Sequence, residues 1–549
     1  MKSKKINYKI LYISIIILGT LFILISCFHS NMWFDESYSI AIAKHSFKEI
    51  WQIGSHDVHP VLYYVMIRIV MLITNNSIVC VRVFSCVPLI LMSILGYSFI
   101  RKEFGNKAGL IFTFFSLFFP TLLTYAGEIR MYTWAMLFVT MMFVYAYKTM
   151  NNYNVREALS DDNNIMYENK IKSKNTLLKY WIIFSIFSLA SAYTHYYALV
   201  VATIINVGMF LYFIVSYIKS NKNDSSNYDD IKNDNKKSEK INSENIRKVN
   251  LISSIVSAVV QIILYLPWLF VFISQTKVVS KGFWIKFPTP LNVIEFIYTG
   301  NIGEGSVPKY LSIPFSLISI AFLVYLIVKN WKRISIKTKF PKTKETKTTK
   351  VIALIWATII LIMCLASLIM KQSVFYQRYL FTLMGLFLIG FSILLSGENK
   401  KIIATYCLCI LIISTILNIN LINTNYDYTN KEPMTYLKSE LQQNDWILIS
   451  DQDYSGYICV AALLNDFSKV INYDVNNWNI KEAYKCYGDT ILNLDEINGI
   501  KGRMCIISAI NSNIPNEIAE KFNAEILDGK EFKTKYKGFE YKFTLININ

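Results

Sequence analysis

Long apolar runs follow one another along this chain, and several of them approach or exceed the ~18 to 20 residues that cross a bilayer as a helix. Of its 549 residues, 53% are hydrophobic and 15% are aromatic. That composition is too apolar for an ordinary soluble protein of this length. We therefore predict a polytopic α-helical membrane protein with about 11 transmembrane helices, within a range of about 11 to 13.

Polar segments separate the predicted spans. The spans cover residues 9–28, 79–100, 107–124, 130–148, 178–193, 196–218, 250–274, 310–329, 351–371, 377–396 and 401–421. The shorter apolar stretch 60–73 contains Arg68, and we predict an interfacial or re-entrant helix there. The net charge of +18 is concentrated in the loops, so it indicates membrane orientation, and no nucleic-acid partner is predicted.

The distribution of basic residues predicts the orientation. A basic N-terminus stays in the cytoplasm, and about eleven spans then place the basic segments 219–249 and 330–350 there as well. The loop 29–78 and the tail lie outside. The lack of targeting signals and the richness in Lys, Asn and Ile indicate a bacterial plasma membrane.

The chain divides into a transmembrane domain, residues 1–421, and a polar extracytoplasmic tail, residues 422–549. Four segments of the tail are typical of strands in a small α/β domain, namely 446–450, 469–475, 503–509 and 538–548. The tail has no Gly-rich phosphate loop, so we predict that it docks or guides an acceptor.

An adjacent acid pair, Asp35 and Glu36, follows Trp33 and Phe34 in the first external loop. A carboxylate at a membrane surface can accept a proton from a hydroxyl that attacks an electrophile. Repulsion between neighbouring carboxylates and partial burial raise the pKa of at least one of them, which suits a base. On these residues alone, the alternative that the pair caps the following helix is at least as well supported.

Imidazoles and a carboxylate follow in the same loop, at His56, Asp57 and His59, directly before Pro60. With the acid pair they suit a divalent metal, and they equally suit hydrogen bonds to a sugar substrate. Histidine is also ordinary at a membrane interface. The sequence therefore does not decide whether a metal ion binds here, and it favours hydrogen bonds to the substrate.

Two outer turns carry further polar residues. Glu128, Arg130 and Tyr132 lie between two spans, where they suit a polar substrate and its phosphate, or simply an interfacial ion pair. His195 stands among tyrosines, which is typical either of a substrate contact or of an aromatic belt.

Basic residues complete the set of candidates. Arg378 begins a late span and suits a lipid phosphate, or snorkelling to head groups. Lys281, in the predicted loop 275–309, suits an anionic head group. Loop charge alone determined the orientation, and it places all of these candidates on the outer face.

Four motifs resemble one family. WFDESYS, HDVHPVLYY, AGEIRMY and QRYLF are similar to segments of membrane glycosyltransferases of the protein-mannosyltransferase and aminoarabinose-transferase type. The resemblance covers about residues 5–400 and is strongest in 31–64 and 125–134. It implies the C-type glycosyltransferase fold and a polyprenyl-phosphate sugar donor.

The resemblance also implies roles for single residues. Asp35 matches the catalytic base of the first loop, and Glu36 completes the pair. His59 and Pro60 match a His-Pro-Pro-Leu pattern, in which Val61 replaces the second proline.

Later motifs of the same family carry the phosphate chemistry. Glu128 and Arg130 match an acidic-then-basic turn, and Arg378 resembles a basic residue near the donor phosphate. Some relatives bind a divalent metal and others do not, so no cofactor follows from the resemblance.

The predicted reaction moves a sugar, with inversion, from a polyprenyl-phosphate donor to an extracytoplasmic hydroxyl of a protein, glycan or lipid. Two alternatives remain. A transporter or flippase of lipid-linked sugars would place its charges near the bilayer midplane and often shows repeated halves. A polysaccharide polymerase would carry its chemistry in a large later loop, whereas here the first loop is richest.

Overall fold

The structure is a computed structural model that describes residues 7–157, 166–225, 234–281, 285, 309–335, 343–442, 444–450, 469–473 and 478–549. Helices α1 to α8 are Tyr8–Leu24, Phe34–Lys44, Phe47–His56, Leu62–Ile73, Ile78–Leu95, Arg101–Phe118, Pro120–Ala126 and Tyr132–Glu157. Helices α9 to α15 are Met166–Thr194, Tyr196–Ser225, Asp234–Lys281, Lys309–Ser335, Lys344–Met370, Met384–Ser396 and Lys400–Asn425. Helices α16 to α18 are Glu432–Glu440, Trp478–Tyr484 and Ile514–Lys521.

Within the described residues, eight helical segments are long and apolar enough to cross a membrane. One of them, Ile78–Phe118, combines α5 and α6, which the sequence predicted as separate spans. The remaining predicted spans at the N-terminus and at 130–148 coincide with the 17-residue α1 and with α8. The prediction of a polytopic helical membrane protein with a small C-terminal sheet domain is confirmed.

Two backbone features shape the region before the turn 127–131. Gly105 interrupts α6 with a φ of 90°, a conformation that favours glycine. Pro120 starts α7, where its missing N–H is not needed, and the extended Phe119 before it ends α6. The predicted span at 107–124 is therefore divided at Phe119.

The first loop is folded into three short helices. α3 begins with a capping box, in which Glu49 Oε2 accepts from the Ser46 N–H at 2.9 Å and Ser46 Oγ accepts from the Glu49 N–H at 3.4 Å. The apolar stretch at 60–73 forms the 12-residue α4, which is too short to cross a bilayer. Its Arg68 donates to the Lys44 carbonyl at 3.1 Å, at the end of α2. These helices place the acid pair at the start of α2.

Helices α8 and α14 approach each other closely at Gly385. A Cβ added there would lie 1.9 Å from Thr140 Oγ1 and 2.9 Å from Met92 Cε. Small residues at such points let membrane helices pack closely.

Gly385→Ala is therefore expected to lower stability by about 1–3 kcal/mol, because the added methyl group overpacks the contact. Gly390→Ala is the matched control on α14, since its Cβ would meet Ile352 at 3.6 Å, an ordinary contact. Thermal unfolding of the purified protein in detergent measures both variants. Equal melting temperatures would contradict the close approach.

The described residues of the tail form a six-stranded sheet in the order β3-β2-β1-β4-β6-β5. The strands β1 to β6 are Trp446–Ser450, Val470–Tyr473, Asp489–Ile491, Gly502–Ser508, Glu525–Lys533 and Glu540–Ile548. β1 is parallel to β2 and β4, β2 is parallel to β3, and β6 is antiparallel to β4 and β5. The four predicted strands match β1, β2, β4 and β6. The sequence missed β3, which has three residues, and β5, which is an exposed edge strand.

The sheet packs directly on the first loop. Successive side chains of a strand point to opposite faces, so Ile447 and Ile449 share a core with Ile40 of α2. Leu448, between them, belongs to a second core with Ile518 of α18. The shared core fixes the tail against the loop that carries the acid pair.

Candidate active site

The two acids of the pair face different surroundings. Trp33 precedes α2, and its backbone N–H donates to Glu36 Oε2 at 3.3 Å. Because neighbouring helical residues are rotated by about 100°, Asp35 points elsewhere. The Glu36 side chain is 0% exposed, whereas 27% of the Asp35 side chain is exposed. Of the two, only Asp35 can be reached from outside.

Both carboxylate oxygens of Glu36 accept hydrogen bonds from other segments of the chain. Its Oε1 lies 2.5 Å from Arg82 Nη1, and its Oε2 lies 2.9 Å from Arg82 Nη2. The Ile129 N–H donates to it at 3.0 Å and the Tyr536 hydroxyl at 2.8 Å. Burial opposes ionisation, but the Arg82 charge and these hydrogen bonds hold the pKa of Glu36 below its ordinary value. The alternative that the acid pair caps α2 is thus partly right, because Glu36 accepts from the Trp33 N–H. The same carboxylate also joins α2 to α5, to the turn 127–131 and to the tail.

Arg82 links α5 to the loops around it. It donates to the carbonyls of His29 at 3.2 Å, of Gly127 at 2.9 Å and of Asn31. Arg82 belongs to none of the motifs in the sequence. Arg82 could have been found as an arginine inside an apolar run, because a charge at membrane depth is rare and usually has a partner or a function.

Asp35 lies between two guanidinium groups. Its Oδ2 is 3.8 Å from Arg130 Nε and 3.6 Å from Arg378 Nη1. Ser39 Oγ accepts from Arg130 Nη1 at 3.2 Å, which fixes that side chain. Burial alone would lower the pKa of Arg130, but the Asp35 charge raises it well above its ordinary value. The fold thus brings together three predicted residues that are far apart in sequence.

Glu128 lies in the same cluster, with a cation from the tail. Burial raises the pKa of Glu128 above its ordinary value, against the opposing charges of Arg378 and Lys537. Lys537 Nζ lies 4.5 Å from the centre of the Trp33 ring, and Arg378 Cζ lies 5.3 Å from it. No sequence motif marks Lys537, and it is not among the predicted site residues.

Asp57 and His59 form a neighbouring group. The Tyr64 hydroxyl donates to Asp57 Oδ2 at 3.1 Å, and His59 Nδ1 lies 3.8 Å from the same oxygen. Burial opposes ionisation, but His59 holds the pKa of Asp57 below its ordinary value. His56 is placed differently, because it is exposed and its ring lies 4.4 Å from that of Trp478 in the tail.

His195 extends this group through aromatic rings. Its ring centre lies 6.0 Å from that of His59, 5.9 Å from Tyr132 and 5.0 Å from Tyr379. Burial lowers the pKa of His195 well below its ordinary value, so the ring is neutral. Its Nδ1 accepts from the Tyr197 N–H at 3.1 Å, which places the proton on Nε2. That Nε2 has no hydrogen-bond partner in the part of the chain that the structure describes.

Arg378 also lines an apolar cavity of about 690 Å³. Its lining includes Leu323, Ala353 and Phe387, from three helices. Along the 3₁₀ helix Gln377–Leu383 and α14, the cavity follows about 20 residues, or about 30 Å. A site for a long apolar group therefore ends beside Asp35.

The structure brings most of the predicted residues into one network, namely Asp35, Glu36, Asp57, His59, Glu128, Arg130, Tyr132, His195 and Arg378. The side chain of Lys281, at the end of α11, lies outside the described residues. Over the described ranges, no group of three or more His, Cys, Asp or Glu is placed to hold a metal ion.

Comparison with known proteins shows the fold. No family model matches the chain, and no curated protein matches its sequence. The crystal structure of ArnT from Cupriavidus metallidurans in the apo state matches with a TM-score of 0.57 at 8% identity, over 98% of each chain. The same protein bound to undecaprenyl phosphate matches with a TM-score of 0.51 at 9% identity, also over 98% of each chain. An oligosaccharyltransferase from Archaeoglobus fulgidus has a TM-score of 0.41 at 11% identity, over 96% of this chain and 72% of its own. The chain therefore has the fold of ArnT, and the predicted C-type glycosyltransferase fold is confirmed.

Proposed function

We propose that the chain is a membrane glycosyltransferase that moves a sugar from a polyprenyl-phosphate donor to the hydroxyl of an extracytoplasmic acceptor. One observation carries the proposal. Arg378 lines the apolar cavity, and its Nη1 lies 3.6 Å from the Asp35 carboxylate. A site for a lipid chain, a cation for a phosphate and a candidate base thus adjoin one another.

The cavity suits an isoprenoid chain. Its volume of about 690 Å³ lies within the ~300–1,000 Å³ that is usual for ligand sites, and its lining is mostly apolar. The segment that it follows is about as long as the hydrocarbon core of a bilayer is thick, roughly 30 Å. ArnT from Cupriavidus metallidurans has been crystallised with undecaprenyl phosphate, which supports a lipid of that class for this chain.

Asp35 is the general base in this proposal. Because 27% of its side chain is exposed, an acceptor hydroxyl can reach it. As the hydroxyl oxygen bonds to the anomeric carbon, Asp35 takes the hydroxyl proton and the bond from that carbon to the phosphate oxygen breaks. The electron pair leaves with polyprenyl phosphate, whose charge Arg378 and Arg130 stabilise. Attack opposite the phosphate inverts the anomeric configuration.

Glu36 acts in this proposal as a positioning residue. Its buried carboxylate already accepts from Arg82, Ile129 and Tyr536, so it does not meet the acceptor. Its hydrogen bond from the Trp33 N–H fixes the first turn of α2. The orientation of this helical turn determines where the Asp35 side chain points.

The sugar is proposed to lie against the ring group beside Asp35. His195 presents a neutral Nε2–H, which can donate to a sugar hydroxyl. His59 and Tyr132 flank it, with ring centres 6.0 and 5.9 Å away. Aromatic rings and imidazoles of this kind suit the apolar faces and hydroxyl edges of a sugar.

We propose that the N-terminus is cytoplasmic and that the site and the tail, divided from the membrane domain near residue 422, are extracytoplasmic. The sheet and the first loop share a core, so both lie at one end of the bundle. Lys329 pairs with Glu398, their atoms 2.6 Å apart, and Glu398 follows the end of α14 opposite to Arg378. Lys400 and Lys401, at the start of α15, lie at the same end, which agrees with the positive-inside rule.

A transfer assay tests the proposed function. Purified protein in liposomes is given a panel of radiolabelled polyprenyl-phosphate sugars with envelope extracts as acceptors. We expect at least one donor to lose its sugar to an acceptor and to yield polyprenyl phosphate. If no donor is used, the proposed function is wrong, and lipid-flipping measurements in the same liposomes then test the transporter alternative.

A bulky side chain in the cavity is expected to impair the use of long-chain donors. Ala353→Trp fills part of the cavity and should raise the KM for an undecaprenyl donor by about tenfold or more. Leu354→Trp is the matched control, because Leu354 is the next residue on α13 and is 66% exposed. A donor with a short prenyl chain should be used equally by the wild type and Ala353→Trp. Equal losses for both chain lengths would place the lipid elsewhere.

A further inference from the structure

The tip of the hairpin between β5 and β6, residues 534–539, is held firmly at the candidate active site. Lys535 Nζ lies 3.0 Å from Asp427 Oδ2, in the connection that follows α15. The Tyr536 N–H donates to Asn430 Oδ1 at 2.8 Å. The tip is thus fixed both by its own strands and by the end of the membrane domain.

Two side chains of this tip reach the first loop. The Tyr536 hydroxyl donates to Glu36 at 2.8 Å, and Lys537 Nζ lies 4.5 Å from the centre of the Trp33 ring. Lys537 has a φ of 58°, a conformation that is uncommon for residues other than glycine. Such conformations are often retained where a side chain must point at a functional site.

Cations from distant segments meet at this point. Among the described residues, Arg130 and Arg378 lie near the Asp35 carboxylate, and Arg378 and Lys537 act on Glu128. Burial favours the neutral form of Glu128. A phosphate group that enters here would meet several positive charges.

We propose that Lys537 binds the phosphate of the lipid donor together with Arg378, so that the C-terminal domain completes the donor site. This inference rests on the proposed function and deepens it. Both cations lie against Trp33, with Arg378 Cζ 5.3 Å from the ring centre, so they converge on one place. The tail then has a direct part in catalysis in addition to the predicted docking of an acceptor.

The experiment measures binding and turnover separately. The equilibrium Kd for undecaprenyl phosphate, without a sugar, is measured for the wild type, Lys537→Gln and Lys537→Arg, and the KM and kcat of sugar transfer are measured for the same proteins. We expect Lys537→Gln to raise both the Kd and the donor KM by about tenfold, the usual effect of losing one charge-assisted hydrogen bond, and Lys537→Arg to restore most of the affinity. Lys533→Gln is the matched control, because Lys533 lies on the same hairpin and its side chain is 74% exposed.

The outcomes separate this inference from the proposed function. Transfer that continues with an unchanged Kd in Lys537→Gln would overturn the inference alone. An equal loss of affinity in Lys533→Gln would also overturn it, because the hairpin would then act only through its fold. An increase confined to the KM for the acceptor would assign Lys537 to a phosphate on the acceptor and overturn the inference too. Lipid binding that depends on Lys537, without transfer from any donor, would support the inference and contradict the glycosyltransferase proposal.

Discussion

Asp35→Asn is expected to lower the rate of sugar transfer by at least about 100-fold, because a positioned general base contributes about 10²–10⁴ in rate. Asparagine keeps the shape of the side chain and removes the proton acceptor. The loss should appear in kcat, since the cavity and Arg378 that are proposed to hold the donor are unchanged. Initial rates of radiolabel transfer at saturating donor measure the effect.

A matched control accompanies this variant. Glu49→Gln removes a carboxylate from the same loop, where Glu49 caps α3 with 53% of its side chain exposed. It should transfer sugar at nearly the wild-type rate. If Asp35→Asn also stays close to the wild-type rate while melting normally, another group is the base and the mechanism proposed here is wrong.

Arg82→Met is expected to lower the free energy of unfolding by about 3–5 kcal/mol, because it leaves the buried Glu36 carboxylate without its countercharge. Glu36 is 0% exposed and Arg82 is 2% exposed, so water cannot replace the lost partner. The same substitution also removes hydrogen bonds to the loop carbonyls of His29 and Gly127. Denaturant or thermal unfolding in detergent measures the change.

A double-mutant comparison separates the charge from the packing. Glu36→Gln with Arg82→Met removes both charges and should be less destabilising than Arg82→Met alone. Arg101→Met is the control for loss of an arginine near a helix end, since Arg101 Nε donates to the Tyr97 carbonyl, four residues earlier, at 3.0 Å. We expect it to cost less than about 1 kcal/mol. Glu36→Gln alone completes the cycle, and a double variant whose loss equals the sum of the two single losses would show that the pair is not coupled.

Much of the architecture could be predicted from local patterns. The length of the apolar runs determined the helical segments, because a bilayer demands about 20 apolar residues for each span. The motif around Asp35 and Glu36 and the turn with Glu128 and Arg130 predicted the candidate site. Short or polar strands were not predicted. β3 has three residues and β5 is largely exposed, so neither shows the alternation of apolar and polar residues that indicates a strand.

The class of membrane protein, the α/β tail and the loop that carries the acid pair thus follow from local sequence patterns. Which acid is exposed depends on the folded chain, because Asp35 and Glu36 are neighbours with the same chemistry and differ in what packs around them. The pairing of Arg82 with Glu36, and the hydrogen bond to Glu36 from Tyr536, 500 residues away, also follow from the fold. The physical reason is that helix and strand periods report local burial, whereas the contacts that assign roles to side chains form between segments distant in the chain.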